Sequence, residues 1–224
     1  MDAGILSVLT IGFLLGIKHA LEPDHVIAVS TIAIKSKHIG KSAFSGVFWG
    51  IGHSLTLFIV GFILMAMRSE MTEKWAMSLE FLVGVMIVVL GVNTIISLRS
   101  MRANANAKVD VGAKESQHFR GSYRKSLLIG FIHGLAGSGA MVVLTMSTVN
   151  SISEGLIYIA IFGVGTVIGM LCFTTFISIP FILSSSRFKL NRVLIGATGI
   201  VSAVFGLYYM YNLGVNEGLF GLWM

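Results

Sequence analysis

Six long apolar segments constrain the fold of this chain more than any other feature of its sequence. Each is long enough to cross the hydrocarbon core of a bilayer as a helix, which takes about 20 mainly apolar residues. Their apolar residues follow one another without the alternation that marks the strands of a membrane β-barrel. We therefore expect an all-α, polytopic membrane protein with six transmembrane helices. The six segments are residues 4–34, 43–67, 76–98, 126–149, 155–183 and 193–213.

The composition leaves little polar surface to face water. Charged residues make up 12% of the chain, against about 25% in a typical soluble domain, and hydrophobic residues make up 55%. The chain has 2 prolines and 26 glycines, a balance that suits long helices packed closely through small residues. We therefore expect hydrocarbon to be the main solvent of this protein.

The basic residues are concentrated in three loops between the apolar segments. Residues 35–42, 99–125 and 184–192 hold three, seven and three of them, 13 of the 16 in the chain. Because cytoplasmic loops carry an excess of lysine and arginine, we expect a multi-pass protein of the cytoplasmic membrane with both termini outside. The net charge of +6 then reflects topology, and nucleic acid is not an expected partner. Residues 1–4 lack the basic start of a secretory signal peptide, so the first segment is interpreted as a retained span.

The two halves of the chain resemble each other. Each half holds three spans, so the second half enters the membrane from the opposite side, as in the inverted repeats of many secondary transporters. Such folds place the substrate at the interface between the repeats, often on broken helices. Three matches support the repeat, namely 16–21 with 130–135, 50–52 with 163–165, and Gly84 with Gly196, at offsets of 114, 113 and 112 residues.

This symmetry divides the chain into three parts. Residues 1–98 form the first three-helix repeat and carry the polar cluster described next, and residues 126–224 form the second repeat. Residues 99–125 join them as a basic cytoplasmic linker, whose Ala/Asn stretch and mixed charges are typical of a mobile segment.

A cluster of ionisable residues interrupts the first span, and two further spans carry a histidine. Ionisable side chains are costly at membrane depth and are functional candidates by default. The alternative interpretation is a set of hydrogen-bonded core histidines beside a local ion pair. The density of the cluster favours function. The residues are Lys18, His19, Glu22, Asp24 and His25 in the first span, His53 in the second and His133 in the fourth.

Pro23 predicts a break within this cluster. Its ring nitrogen cannot donate to the carbonyl of His19, four residues earlier, and its ring clashes there. Proline suits the first turn of a helix, so a second half-helix is expected to begin at Pro23. Asp24 would then lie in the first turn, where the helix dipole favours negative charge. The break would also let His19 and His25 converge.

Two other features have structural interpretations. Lys18 and Glu22 are four residues apart, a spacing at which opposite charges pair on one helix face. Cys172 lies in an apolar run and is expected to be a small, buried core residue. A single thiol cannot form an intramolecular disulfide or a dithiol relay.

The residue types of the cluster indicate which ligand it could bind. Imidazole nitrogens with one carboxylate and no thiolate suit Ni, Co, Zn or Cu, whereas Mg and Ca prefer oxygen ligands alone. His53 could add a nitrogen, because Gly52 beside it allows a close helix approach. The fourth span offers His133 and Ser138, and His133 could ligate, orient a ligand or relay protons.

These motifs resemble those of the nickel/cobalt transporters, the NiCoT superfamily. His19-Ala20-Leu21-Glu22-Pro23-Asp24-His25 resembles their HX4DH signature, and Gly52-His53-Ser54 is similar to their second motif. The six-span form and His133-Gly134-Leu135-Ala136-Gly137-Ser138-Gly139 are most similar to the UreH-type branch, whose members are associated with urease maturation.

The resemblance implies a set of site residues. The metal ligands it implies are His19, Asp24, His25 and His53, to which the residues themselves add His133. The residues expected to shape the site are Lys18, Glu22, Pro23, Gly52, Ser54, Gly137 and Ser138. The chain also departs from the superfamily pattern. NiCoT proteins have eight spans with the signature on the second, and their third motif carries acidic residues that are absent here.

The sequence therefore predicts a secondary transporter that takes up Ni²⁺ or Co²⁺ and supplies a nickel enzyme such as urease. The chain contains no Walker-type phosphate loop, so it does not drive transport by its own ATP hydrolysis. We expect no enzymatic activity and no cofactor. The expected partners are the divalent transition-metal ion, the lipid bilayer and cytoplasmic metallochaperones.

Three alternative functions stay open. One is a metal exporter of the same superfamily, which the single histidine of the linker, His118, makes less favoured than uptake. Another is a membrane acyltransferase, because His19 and Asp24 also fit an HX4D motif in which a histidine base and its carboxylate activate a hydroxyl. The third is thiol electron transfer across the membrane, whose dithiol form the lone Cys172 excludes.

Overall fold

A computed structural model describes residues 3–34, 38–69, 71–104, 123–137, 145 and 151–224, and these residues are helical apart from short connections. No strand occurs within those ranges, in agreement with the predicted all-α class. The helices are α1 (Ala3–His19), α2 (Pro23–Ala33), α3 (Ile39–Met67), α4 (Glu73–Asn104), α5 (123–137), α6 (Ile152–Ser184), α7 (Phe188–Tyr211) and α8 (Leu219–Trp223), with a π-helical segment at Asn212–Asn216.

Several of these helices are long and apolar enough to span a membrane. Four continuous stretches qualify: α3, Glu73–Leu98 of α4, α6, and Lys189–Asn216. The first predicted span is a bent pair, in which Leu6–His19 and Pro23–Ala33 meet at 57°. The multi-pass membrane class and the break within the first predicted span are therefore confirmed. The fourth predicted span, 126–149, begins in α5 and continues outside the described residues.

Helices on both sides extend into the predicted linker. Its first residues, 99–104, continue α4, and residues 123–125 already belong to α5. The prediction of a loop over 99–125 was therefore wrong at both ends, because a helix can extend past the apolar stretch into its charged flank. Residues 105–122, with His118, lie outside the described ranges.

The break in the first span lies where Pro23 predicts it. Glu22 has extended backbone angles (φ −63°, ψ 145°) at the N-cap of α2, Pro23 is the first helical residue, and Asp24 lies in the first turn. The chain crosses the gap by tight turns, with the Leu21 N–H donating to the Lys18 carbonyl and the Glu22 N–H to the His19 carbonyl. Two backbone N–H groups at the break thus keep carbonyl partners, which lowers the cost of irregular chain in an apolar solvent.

Glycines set two parallel helix pairs. A Cβ added to Gly12 would press against Tyr158, and one added to Gly169 would press against Ala20, so α1 and α6 run in the same direction. α3 and α5 pair in the same way. Gly130 lies against the backbone of Trp49. One turn later on both helices, Gly134 lies against the backbone of His53. Backbones this close are typical of membrane helices with small residues at their interface.

Two antiparallel pairs complete the packing. In the α3–α6 pair, Gly50 faces Val167 and Gly163 faces Ser54. The α4–α7 pair is also antiparallel, with close approaches of Gly91 to Ala203 and of Gly206 to Gly84. The start of α3 therefore lies beside the end of α6, and the end of α4 beside the start of α7. These are the helix ends that adjoin the three basic loops.

Cys172 does not lie in the core. Its side chain is exposed on the outer face of α6, so the expectation of a buried residue was wrong. The reason is physical. A helix that packs in a membrane is apolar on its lipid-facing side as well as on its protein-facing side, so an apolar run does not tell one side from the other.

We expect the substitution Gly52→Val to loosen the α3–α5 contact. A Cβ at position 52 would overlap the carbonyl oxygen of Leu127, and backbone cannot yield as a flexible side chain can. Overpacking of this kind costs about 1–3 kcal/mol of stability. Thermal unfolding of the purified protein in detergent would measure the loss. Gly40→Val on the same helix is the control, because no described residue lies within 4 Å of a Cβ at that position. Equal melting temperatures for the two variants would contradict the prediction.

Candidate metal centre

The predicted ligands come from four helices and meet in the interior. His19 is the last residue of α1, Asp24 and His25 lie in the first turn of α2, His53 lies near the middle of α3, and His133 lies on α5. Burial is nearly complete for three of the imidazoles, with 1% of His25, 1% of His53 and 2% of His133 exposed. The assignment of these residues as ligands stays a prediction, but the fold brings all five together.

The break at Pro23 is what brings the first two histidines together. Residues six apart in a continuous helix are rotated by about 240° and lie about 9 Å apart along its axis. Here the rings of His19 and His25 have centroids 4.5 Å apart, and each lies within 5.0 Å of the ring of His53. His25 is also 4.1 Å from the ring of His133. Each imidazole is therefore in contact with at least one other.

Asp24 ties the cluster together through hydrogen bonds. Its Oδ1 lies 3.2 Å from Nδ1 of His25, and its Oδ2 lies 2.7 Å from Nε2 of His133. One carboxylate thus orients two imidazoles that belong to different halves of the chain. A carboxylate that accepts from a ligand imidazole fixes its tautomer and its ring direction, as is common around metal sites.

His19 has a different set of partners. Its Nδ1 lies 2.8 Å from Oε2 of Glu22, and its Nε2 lies 3.0 Å from Nε2 of His53. Glu22 therefore pairs with His19, and the predicted Lys18–Glu22 pair was wrong, since no such ion pair occurs among the described residues. The cause is the break itself: Glu22 has left the helix that carries Lys18, so the spacing of four no longer aligns the two side chains.

The potential ligand atoms fall into two groups that share His25. One group is His19, His25 and His53, the other is Asp24, His25 and His133, and within each group the atoms lie within 4.8 Å of one another. We call them the His19 group and the Asp24 group. Among the described residues, three ring nitrogens in these groups have no hydrogen-bond partner. They are Nε2 of His25, Nδ1 of His53 and Nδ1 of His133. Buried polar atoms are rarely unpaired without a reason, and a bound cation would supply one.

The residues predicted to shape the site have distinct positions. Gly52 packs on the backbone of α5, and the Ser54 hydroxyl donates to the Gly163 carbonyl at 3.1 Å, so both hold helices together beside His53. A Cβ at Gly137 would lie 3.7 Å from the His19 ring, so this glycine forms part of the wall of the cluster. Lys18 is exposed, and Ser138 lies outside the described residues.

Two aromatic residues that the sequence did not predict line the cluster. The indole of Trp49 stacks on His25 with centroids 6.2 Å apart and an interplanar angle of 12°, and it lies 5.6 Å from the ring of His133. Phe162 lies 5.4 Å from the ring of His19. A signal was available, because Trp49 precedes His53 by one helical turn and the repeat offset of 113 maps position 49 onto 162.

The geometry does not form the pair that an acyltransferase needs. In that chemistry the carboxylate of the HX4D motif would support the histidine as a base. Here Asp24 contacts His25 and His133, while His19 contacts Glu22 and His53. The predicted enzyme alternative therefore gains no support from the site.

Comparison with known proteins identifies one full-length relative of high similarity. The chain is 53% identical over 222 residues to the urease accessory protein UreH of Bacillus sp. (strain TB-90). The alignment covers 98% of this chain and 97% of that protein. The relative is named as an accessory protein, in agreement with the expectation that this chain is not an enzyme.

More distant similarity extends to two plant proteins. The chloroplast proteins FOR GROWTH AND FERTILITY 1 and 2 of Arabidopsis thaliana are each 26% identical to the chain, over 185 and 214 residues. These alignments cover 78% and 91% of this chain and 50% and 56% of the plant proteins. No solved structure matches the chain.

A family model gives a second, independent match. Residues 76–208, more than half of the chain, match the family described as cytochrome C biogenesis protein transmembrane region. With one cysteine in the sequence, that family name does not bring dithiol chemistry to this protein. The chain therefore belongs to this transmembrane family and, by its full-length similarity to UreH, to the UreH-like branch of the nickel/cobalt transporter superfamily that its motifs resemble.

Proposed function

We propose that this protein is a secondary transporter that takes up Ni²⁺ across the cytoplasmic membrane, with Co²⁺ as the alternative ion. The observation that carries the proposal is the interior cluster of four imidazoles and one carboxylate at membrane depth, in which three of the imidazoles are almost fully buried. Its members are His19, Asp24, His25, His53 and His133. Such groups are costly in an apolar solvent unless a partner offsets their desolvation, and a transported dication is such a partner.

The donor set supports a borderline transition metal. Imidazole nitrogens outnumber carboxylate oxygens in both groups, and no thiolate is present in either. Nitrogen-rich sites suit Ni²⁺, Co²⁺, Zn²⁺ and Cu²⁺, and they disfavour Mg²⁺ and Ca²⁺. His133 is proposed as a ligand because it belongs to the Asp24 group and has one ring nitrogen without a partner among the described residues.

The name of the bacterial relative supports the choice of nickel within that set. UreH is named as a urease accessory protein. We propose that this chain supplies a nickel enzyme such as urease, with cytoplasmic metallochaperones as the next carriers of the ion. The same reasoning gives the protein no resident cofactor, since the metal is its cargo.

The membrane potential supports uptake over export. A dication that moves inward across about 100 mV gains about 4.6 kcal/mol, at about 2.3 kcal/mol per charge. That energy corresponds to about a thousandfold accumulation. Inward transport therefore needs no source of energy beyond the potential, whereas export would need a coupled reaction.

The proposed architecture is six spans in two inverted repeats, residues 1–98 and 126–224. Its support is a pair of contacts that the repeat offsets map onto each other. Gly16 packs on the Phe162 carbonyl, and Gly130 packs on the Trp49 carbonyl. The offset of 114 maps position 16 onto 130, and the offset of 113 maps 49 onto 162. The helix directions agree, since α1 lies parallel to α6 and α5 lies parallel to α3.

We also propose that the three basic loops face the cytoplasm and that both termini face outside. The antiparallel pairs put the helix ends that adjoin these loops at one end of the bundle. Among the residues there, Arg187 and Lys189 are described and exposed. The opposite end carries Glu73 and Glu217.

Radioactive nickel uptake into cells tests the function. We expect His25→Ala to lower uptake by at least about tenfold, because His25 belongs to both ligand groups and losing even a residue that only orients a ligand typically costs about 10–100-fold. Competition with unlabelled Co²⁺ and Zn²⁺ would rank the ions. His38→Ala is the matched control, since His38 is exposed at the start of α3. Unchanged nickel content in the His25 variant would remove the proposal, and a raised content would favour the exporter.

The role of Asp24 can be tested by metal binding to the purified protein. Asp24→Asn keeps the shape of the side chain but removes the charge that orients His25 and His133. We expect Ni²⁺ affinity, measured by titration calorimetry in detergent, to fall by about 10–100-fold. Glu22→Gln is the control, because this carboxylate contacts His19 alone among the ligands. Equal effects of the two substitutions would contradict a central role for Asp24.

Reporter fusions test the orientation. Alkaline phosphatase, which is active only outside the cytoplasm, should be active when fused after Met224 and inactive when fused after Arg187. The reverse pattern would invert the topology that the basic loops predict.

A further inference from the structure

Two buried aromatic side chains contact the ligand cluster at different imidazoles. Trp49 is fully buried and lies against His25 and His133, which belong to the Asp24 group. Phe162 is 3% exposed and lies against His19. Trp49 thus contacts both imidazoles of the Asp24 group, and Phe162 contacts His19, which belongs to the His19 group alone.

The two aromatics lie on opposite sides of His53 along the axis of the bundle. Gly50 faces Val167 and Gly163 faces Ser54, so these contacts fix the antiparallel register of α3 and α6. Each residue of α3 therefore lies at the same height along the bundle axis, here called its level, as a known residue of α6. Trp49 lies near the level of residue 168, which is about 9 Å along the helix from Phe162 at 1.5 Å per residue. His53 falls between these levels. Trp49 is nearer the basic loops, and Phe162 is nearer the opposite end.

The backbone at each aromatic is held by the opposite half of the chain. Gly130 of α5 packs on the Trp49 carbonyl, and Gly16 of α1 packs on the Phe162 carbonyl. The repeat offsets of 114 and 113 residues map each of these two contacts onto the other. Trp49 and Phe162 are therefore counterparts, each seated on the helix that carries a ligand histidine, His133 or His19.

We propose that Trp49 and Phe162 are the two gates of the transport path, each closing the ligand cluster from one face of the membrane. Trp49 closes the side of the basic loops over the Asp24 group, and Phe162 closes the opposite side over the His19 group. This proposal rests on the transport function proposed above. In the structure both rings lie against ligand imidazoles, Trp49 on His25 and Phe162 on His19, and His25 belongs to both groups.

One feature of Trp49 favours movement. Its indole N–H is buried and has no hydrogen-bond partner among the described residues. A buried donor without a partner costs free energy that exposure to water would recover. Opening at Trp49 would recover that cost, so the closed position of this ring depends on its packing against His25 and Gly130.

Accessibility of an introduced cysteine tests the gates. Gly137→Cys places a thiol beside His19, where the contacts of the added Cβ with described residues begin at an ordinary 3.7 Å, and Cys172→Ser removes the native thiol. A charged, membrane-impermeant methanethiosulfonate would be applied to right-side-out and to inside-out vesicles, without metal. Labelling of the cysteine at 137 should be slow from both faces while Trp49 and Phe162 are intact.

Removal of one gate should open one face only. We expect Trp49→Ala to raise the labelling rate by about tenfold or more from the face of the basic loops, and Phe162→Ala to do so from the opposite face. Phe44→Ala on α3 and Phe176→Ala on α6 are the controls, since both rings are exposed on the outside of the bundle. Trp49→Leu and Phe162→Leu, which keep more of the packing, carry the same prediction with a smaller increase and replace any alanine variant that does not fold.

The outcomes separate this proposal from the transport function. No increase, or an increase from both faces or the same face for both variants, would overturn the gates even if nickel uptake is intact. One-sided labelling in a protein whose uptake does not depend on His25 would keep the gates and remove the nickel function, because the labelling contains no metal. Slower labelling at 137 after addition of Ni²⁺ would place the ion between the gates, and unchanged labelling would exclude it from there.

Discussion

The missing N–H of Pro23 is the constraint on which the rest of the site depends. Proline removes one helical hydrogen bond and clashes with the carbonyl four residues earlier, so α1 ends at His19. Without the break, His19 and His25 would be separated along one rod and turned away from each other. The break also places Asp24 at a helix start, where the dipole favours its charge. The turns at Leu21 and Glu22 give two backbone N–H groups a carbonyl partner, which lowers the cost of irregular chain in an apolar solvent.

Glycine contacts carry this local geometry across the bundle. The cluster requires the side chains of His53 and His133 to contact those of α2. Such contacts form only where the helix backbones pack directly against each other. Gly52 and Gly130 provide that closeness between α3 and α5, and Gly16 provides it between α1 and α6. In a membrane, where lipid is as apolar as any side chain, such packing and hydrogen bonds replace the hydrophobic effect as the force between helices. The ligand geometry is therefore a consequence of small residues several positions away.

Much of this could be predicted from the sequence, and the failures have a common origin. The break at Pro23 and the meeting of the histidines follow from local stereochemistry and from the cost of polar groups in lipid, so the residues alone predict them. The partner of Glu22 and the exposure of Cys172 depend on which way a side chain points around its helix axis. The end of α4 depends on how far the helix extends into its charged flank. The apolar pattern of a membrane helix reports neither property. Trp49 and Phe162 were missed because an aromatic in an apolar span is ordinary until its neighbours are known.

The charge balance of the cluster fits a site that must release its ion. In the proposed site, Asp24 supplies one negative charge, and the four imidazoles ligate best when neutral. A dication held there keeps a net charge of about +1 in a low-dielectric interior, where an excess charge is far more costly than in water. A structural metal site avoids that cost with further anionic ligands and holds its ion permanently. Here two overlapping ligand groups share the electrostatic cost of holding the ion. The carboxylate of Glu22, which is about half exposed, contacts His19 on the side away from the other ligands. Binding that is favourable enough to admit the ion, and divided enough to let it leave, is what passage through a membrane requires.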